Sequence, residues 1–254
     1  MDKLEMALYN STLKYIDGTS CGAVYPKSIT ELNQSGDIYI DNDSILFWHY
    51  SGFAFVYGAC NHHFLECIYH KFLSNDSNLS RKFILFATNL KLEKFFQEKE
   101  NLLFGKRYFF EYPQEYAVPS QTMPYGYHIC EFNQELLDSV QGRITPYFSW
   151  KNASEFLNHG KGYCIMHEEN PVAWAFSAAV SSDEIDIGIE VSSNYQHSGL
   201  GTLIAEKMIS YCFEQHKHPV WACDSNNIAS QKLALKLGFE KVSECTTIKL
   251  HYNK

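Results

Sequence analysis

A mixed α/β fold of the α+β kind is predicted, with a C-terminal mixed central sheet flanked by helices and a smaller α/β N-terminal domain before it. Three observations predict it. Short runs such as DEIDIGIEV alternate apolar and polar residues with period two, whereas LGTLIAEKMISYCF keeps helical spacing. From residue 125 onward such runs come in the order strand, two helices, three strands, helix, strand, helix, strand. Two glycines stand where the last of the three strands gives way to a helix.

In chain order, GDIYIDN, SILFWHY and GFAFVYGA read as three successive strands, NHHFLECIYHKFLS as a helix, KFILFATN as a strand and LEKFFQEK as a helix. That order repeats the core of the second half from its second strand onward, without the glycine turn. A diverged duplication and a shared but unrelated order both account for it. Pro113, Pro119 and Pro124 then crowd into EYPQEYAVPSQTMPYG, which can continue neither a helix nor a central strand. The boundary is set there, giving domains 1–122 and 123–254.

Beyond it, YGYHICEF reads as a strand, NQELLDSVQG and SWKNASEFLNHG as helices, and GYCIMHEE and VAWAFSAAVSS as strands turned by Asn170-Pro171. In DEIDIGIEV, Ile185, Ile187, Ile189 and Val191 share one face and Glu184, Asp186, Gly188 and Glu190 the other. The next helix buries Leu200, Leu203, Ile204, Met208, Tyr211 and Cys212. HPVWACDS, NIASQKLALKLGF closed by Gly238, and VSECTTIKLHY complete the chain.

Composition excludes several classes. With 254 residues, 45% hydrophobic and 20% charged, the chain can bury a substantial core. A formal net charge of −8 repels a nucleic-acid backbone, so no nucleic-acid partner is expected. The longest apolar run, ILFWHYSGFAFVYGAC, is interrupted by His49, Ser51 and Gly52, and MDKLEMALYN lacks a basic patch followed by an apolar stretch. No membrane partner and a cytoplasmic location follow as expectations. The eight irregularly spaced cysteines read as free thiols of a reducing compartment. Cys60, His63, Cys67 and His70 share a helical stripe with Phe64, a poor match to zinc-site spacing, so no metal is expected.

In Gln196-His197-Ser198-Gly199-Leu200-Gly201 the glycines open the helix, where unbonded N–H groups and the helix dipole attract a pyrophosphate without needing a basic side chain. A tight turn that binds nothing is the bland alternative. Downstream, Asn227 starts a second helix that ends in Lys236-Leu237-Gly238-Phe239. In these features the sequence resembles the GNAT acetyltransferase superfamily. GIEV, Trp221-Ala222-Cys223, and Ser230 with Leu233-Ala234 resemble more narrowly its zwittermicin A self-resistance branch.

The resemblance implies acetyl-coenzyme A as cosubstrate and a small-molecule amine as acceptor, and it allows a homodimer. It gives the pyrophosphate to the main chain of Gln196, His197, Ser198, Gly199, Leu200 and Gly201, with Thr202 next in the first turn. Ile189 and Val191 offer main-chain groups to the pantetheine and thioester; Asn227 bonds the pantetheine or caps its helix, and Ser230 assists. It also makes the first half a candidate GNAT-like half that walls the acceptor pocket. Gln196 stands where Arg is frequent, and Ala234 stands at the position of the Tyr that often protonates the departing thiolate.

The expected reaction is direct acetyl transfer to an amine. An aliphatic amine has a pKa near about 10, so a base is useful at neutral pH. Glu190, one residue before Val191, is the candidate, with Asp186 in reserve; the alternatives are that Glu184, Asp186 and Glu190 are the solvated face of the strand, or that Glu190 binds a cationic acceptor. A covalent route through Cys223 is the lesser option. The rival from another class is a non-catalytic coenzyme A-binding module or scaffold with a degenerate site, which Ala234 favours.

Overall fold

The computed structural model describes residues 1–19, 21–74, 79–113 and 122–251; residues 114–121 of the proline-rich boundary, Pro119 included, lie outside the described residues. Backbone contacts divide the chain into two units, one of Met1–Tyr108, Asp224–Asn226 and the residues from Ser243 onward, the other of Phe109–Cys223 and Asn227–Val242.

The first unit holds β1 (Asp2–Lys3), a 3-10 segment (Met6–Tyr15), α1 (Val24–Thr30), β2 (Gly36–Asp41), β3 (Ser44–His49) and β4 (Phe53–Gly58). After these come α2 (His62–Ile68) with a π turn (Tyr69–Leu73), β5 (Ile84–Ala87), α3 (Leu90–Gln97) and the start of β6 (Leu102–Glu111). The strands from β1 to β4 pair antiparallel and β5 joins β4 in parallel, with α2 in the crossover. Leu46 and Trp48 of β3 pack with Phe64, Leu65 and Ile68 of α2 and Phe72 of the π turn in one core cluster. The alternate residue His49 meets the Tyr25 ring of α1 edge-on at 5.1 Å. Both faces of β3 are thereby covered, which explains a strand apolar almost throughout.

The second unit holds β7 (Tyr127–Glu131), α4 (Gln134–Ser139), a 3-10 turn (Pro146–Phe148), α5 (Ala153–His159), β8 (Gly162–His167), β9 (Asn170–Val180) and β10 (Glu184–Val191). A 3-10 turn (Ser193–Tyr195), α6 (Leu200–Glu214), β11 (His218–Asp224) and α7 (Ile228–Leu237) follow. The last strand, β12 (Glu240–Leu250), begins in this unit and returns to the first, where Thr246, Thr247 and Ile248 pair with Ala87, Phe86 and Leu85 of β5. The strands from β7 to β10 pair antiparallel, β11 joins β10 in parallel, and α6 makes the crossover. Three antiparallel strands, a helix and a parallel fourth strand thus occur in each unit, as the repeated order in the sequence suggests.

Helix starts follow a local rule. Asn61, Asn89, Asn133, Asn152 and Asn227 each cap a helix by accepting the N–H of the residue three positions on, a contact that stabilises by about 1 kcal/mol.

Several elements differ from the sequence reading. The β8–β9 turn is Glu168-Glu169, with φ of 48° and 65°, and not Asn170-Pro171. These left-handed values match the twist of a two-residue hairpin, and Pro171 sits beside a register shift in β9. In α6, Thr202 and Ala205 are buried and Leu203 and Tyr211 only partly so. Phe64 leaves the His/Cys stripe of α2 for the core, while His62, His63 and His70 are exposed. Gly188 is held small by packing, since a Cβ there would lie 2.7 Å from Cζ of Phe176. Gly188→Ala is expected to cost about 1–3 kcal/mol, read as a lower denaturation midpoint with unchanged slope.

Candidate active site

Strands β10 and β11 pair only at their starts, Glu184 with His218, Ile185 with Pro219 and Asp186 with Val220. From Ile187 onward no further β10–β11 pair forms among the described residues, although β10 stays paired to β9 as far as Val191 with Ala173. Ser192 N–H donates to the Val172 carbonyl at 2.9 Å, which sets the phase of that ladder. Even-numbered residues from Gly188 therefore bond to β9, and Ile189 and Val191 turn their N–H and C=O groups to the side where β11 has parted. Main-chain groups left without a ladder need another partner.

Immediately beyond lies the glycine turn. Gly199 is the N-cap residue of α6 with φ 85°, His197 also has a left-handed φ of 62°, and no side chain among the described residues caps the helix. Ser198 Oγ donates to the Tyr195 carbonyl at 2.5 Å, and of the first-turn N–H groups that of Thr202 donates to the Gly199 carbonyl at 3.0 Å, which leaves those of Leu200 and Gly201 to other partners. A Cβ on Gly199 would have no atom of the described residues within 4 Å, while one on Gly201 would lie 3.2 Å from Val191 Cγ2 and 3.6 Å from Leu233 Cδ2. The two glycines thus differ, Gly199 facing open space and Gly201 allowing α6 to seat on the end of β10. No acidic residue occupies the first turn. Lys236 of α7 donates to Thr202 Oγ1 at 3.1 Å, bringing an ammonium to the same turn, a contact that the 34-residue separation hid from the sequence reading.

Both candidate carboxylates lie on β10. Glu190 is partly buried, its Oε1 accepting the N–H of Arg143 at 3.2 Å and its Oε2 that of Ile144 at 2.5 Å, and the Ile144 carbonyl in turn accepts Nε1–H of Trp174 at 2.8 Å. Segment 142–144 is thereby fastened to β9 and β10, and a Cβ on Gly142 would fall 2.6 Å from the Glu190 carboxyl carbon, so a side chain there would displace that carboxylate. Asp186 is buried, at 3% exposure. Asn227 caps α7 through Ser230 N–H at 3.2 Å, and Ser230 Oγ accepts Nε1–H of Trp221 at 3.0 Å, so Ser230 holds an indole of β11. Ala234 and Cys223 are buried.

Comparison with known proteins gives the family and the fold. The family model described as GNAT acetyltransferase matches residues 22–248. The Uncharacterized N-acetyltransferase YdfB of Bacillus subtilis (strain 168) is 23% identical over 254 residues, 97% of each chain. A GCN5-related N-acetyltransferase-like protein from Streptococcus suis 89/1591 shares the fold with a TM-score of 0.74 at 21% identity, covering 97% of this chain and 100% of that one. A tandem GNAT protein from the clavulanic acid biosynthesis pathway does so with a TM-score of 0.60 at 10% identity, covering 98% and 95%. With the family model spanning nearly the whole sequence, the chain belongs to the GNAT acetyltransferase family.

Proposed function

We propose that this enzyme uses acetyl-coenzyme A to acetylate a small-molecule amine by direct transfer. The observation that carries the proposal is the parting of β10 from β11 beside a helix start where the N–H groups of Leu200 and Gly201 have no main-chain acceptor among the described residues. Acetyl-coenzyme A would supply an activated acetyl thioester. The residues fit such a molecule: a diphosphate needs N–H donors and no acid in the first turn, which His197 to Gly201 provide, the N–H groups of Gln196 and Thr202 being bonded to Ser193 and Gly199, and an amide-bearing arm needs the main-chain partners offered by Ile189 and Val191. A main-chain N–H of β10 would also stabilise the charge that develops on the carbonyl oxygen. Asn227 and Ser230 would act by holding α7 and Trp221 in position. Family membership does not favour the non-catalytic reading. The motifs GIEV, Trp221 to Cys223 and Ser230 support the narrower likeness to the zwittermicin A self-resistance branch.

For the proton of the attacking amine, Glu190 is the proposed acceptor, with Asp186 in reserve. Glu190→Gln is expected to lower kcat by about 10²-fold and to remove the acidic limb of the rate profile. A raised acceptor KM with unchanged kcat would instead mark Glu190 as a binding group. The test of the whole reading is release of free coenzyme A thiol from acetyl-coenzyme A across a panel of antibiotics, polyamines and amino acids. Mass gain of one acetyl group on an acceptor is expected; turnover with none of them would count against it.

A further inference from the structure

The antiparallel register of β7 and β8 sets Cys130 directly opposite Cys164. Directly opposed residues point to the same face of a sheet, so the two thiols are neighbours. Phe132 N–H donates to the Gly162 carbonyl at 3.0 Å, which fixes the hydrogen-bonded phase of this ladder, and Cys130 and Cys164 lie one full ladder repeat away. Their Cα atoms are therefore about 5.5 Å apart. Disulfides span Cα separations of roughly 4.4–6.8 Å, so the backbone is already in range. The row continues across the sheet, Cys164 opposite Trp174 and Trp174 opposite Glu190, so the pair shares a face with the groups that hold segment 142–144.

We propose that Cys130 and Cys164 are a redox pair that a disulfide oxidant converts into a reversible cross-strand disulfide, fastening the edge strand β7 to β8. Cys130 is partly exposed and Cys164 fully buried, which orders the chemistry. The Cys130 thiolate attacks one sulfur of oxidised glutathione and expels a glutathione thiolate. The Cys164 thiolate then attacks Cys130 Sγ in the mixed disulfide and expels the second glutathione. Two protein thiols thereby lose two electrons and two protons, and one oxidised glutathione becomes two reduced ones.

Burial and the neighbouring Cys130 sulfur push the Cys164 thiol up, so the second step is the slow one. The Cβ atoms of opposed residues lie about 4.5–5.5 Å apart, toward the far end in a hydrogen-bonded pair, whereas a disulfide wants about 3.8 Å. Closing the bond pulls the strands inward and leaves it strained. A strained bond is easily reduced, which fits a switch better than a permanent staple.

The test treats the purified full-length protein with graded ratios of oxidised to reduced glutathione, alkylates the remaining thiols and maps tryptic peptides. Peptide 108–143 linked to peptide 162–207, with a loss of two hydrogens that reductant reverses, is the expected product, at least tenfold above any other cysteine pair. Cys130→Ser changes a partly exposed side chain and should fold; it should abolish the link and leave Cys164 unalkylated until the protein is denatured. Cys130 recovered as a stable glutathione adduct with Cys164 still reduced, or a link that joins other cysteines in preference, would overturn the proposal.

Discussion

Gly201→Glu is expected to abolish the thermal stabilisation that acetyl-coenzyme A gives the wild-type protein. At a ligand concentration of about 100 Kd that stabilisation is roughly 2.7 kcal/mol, or on the order of 5–10 °C for a chain of this size. A Cβ at residue 201 already lies 3.2 Å from Val191 Cγ2. The rest of a glutamate must therefore push α6 off the end of β10 or turn its carboxylate toward the N–H groups that would receive the diphosphate, and both outcomes cost binding. Ser198→Glu separates the two causes. Ser198 is exposed and its hydroxyl bonds only locally, to the Tyr195 carbonyl, so a charge can enter there without repacking. Loss of the ligand-induced shift in both variants is the expected result of differential scanning fluorimetry, and unchanged affinity in both would remove the cofactor from this turn.

The second large effect is a loss of stability in acid that originates at His49. Its ring is fully buried, with Nδ1 bonded to Ser51 Oγ at 2.9 Å and to Ser51 N–H at 3.1 Å, while Nε2 has no hydrogen-bond partner among the described residues. Burial, with a smaller contribution from the Arg81 guanidinium, holds its pKa down at about 3. In the unfolded chain the same imidazole takes up a proton near pH 6.5. The unfolded state therefore binds more protons between these values, so the stabilisation is complete above pH 6.5 and falls as pH drops toward 3. Fully expressed, the loss is on the order of 4–5 kcal/mol. Asp37, whose carboxyl Lys3 and Arg81 hold below the usual range against its burial, loses stability in the same direction at lower pH. His49→Gln should be less stable at pH 7 yet show a shallower decline in urea midpoint between pH 6.5 and 4. Parallel declines in the two proteins would show that His49 is not the source.

Much of this architecture could be read from the sequence because local signals were strong. Strict alternation over Glu184–Val191, two glycines and an amphipathic run announced a strand, turn and helix, and the structure shows them in that order. Segments without such signals were missed. The helix Val24–Thr30 carries Pro26, tolerated only because a helix's first turn lacks internal N–H bonds, and the 3-10 segment Met6–Tyr15 has no period to find. In β6, Gly105, Lys106 and Arg107 interrupt the alternation, and only Phe109 and Phe110 are buried. The succession of β10, glycine turn and α6 is legible within one stretch of sequence, but the hold of Glu190 on Arg143 and Ile144 is not. Those N–H groups are main-chain atoms 46 and 47 positions away, and a main-chain donor leaves no mark on residue identity.

The return of β12 to the first unit orders events during synthesis. Ala87 of β5 waits for Thr246, some 160 residues later, and at about 5–20 residues per second the delay is on the order of ten seconds or more. Through that interval one flank of β5 lacks its antiparallel partner, and the core around Leu85 and Phe96 lacks Ile248, which in the finished protein is fully buried. The part of the chain made first is completed last, and for those seconds it offers an open strand edge of the kind that chaperones shield. A chain shortened at its C-terminus should accordingly fail first in its N-terminal unit.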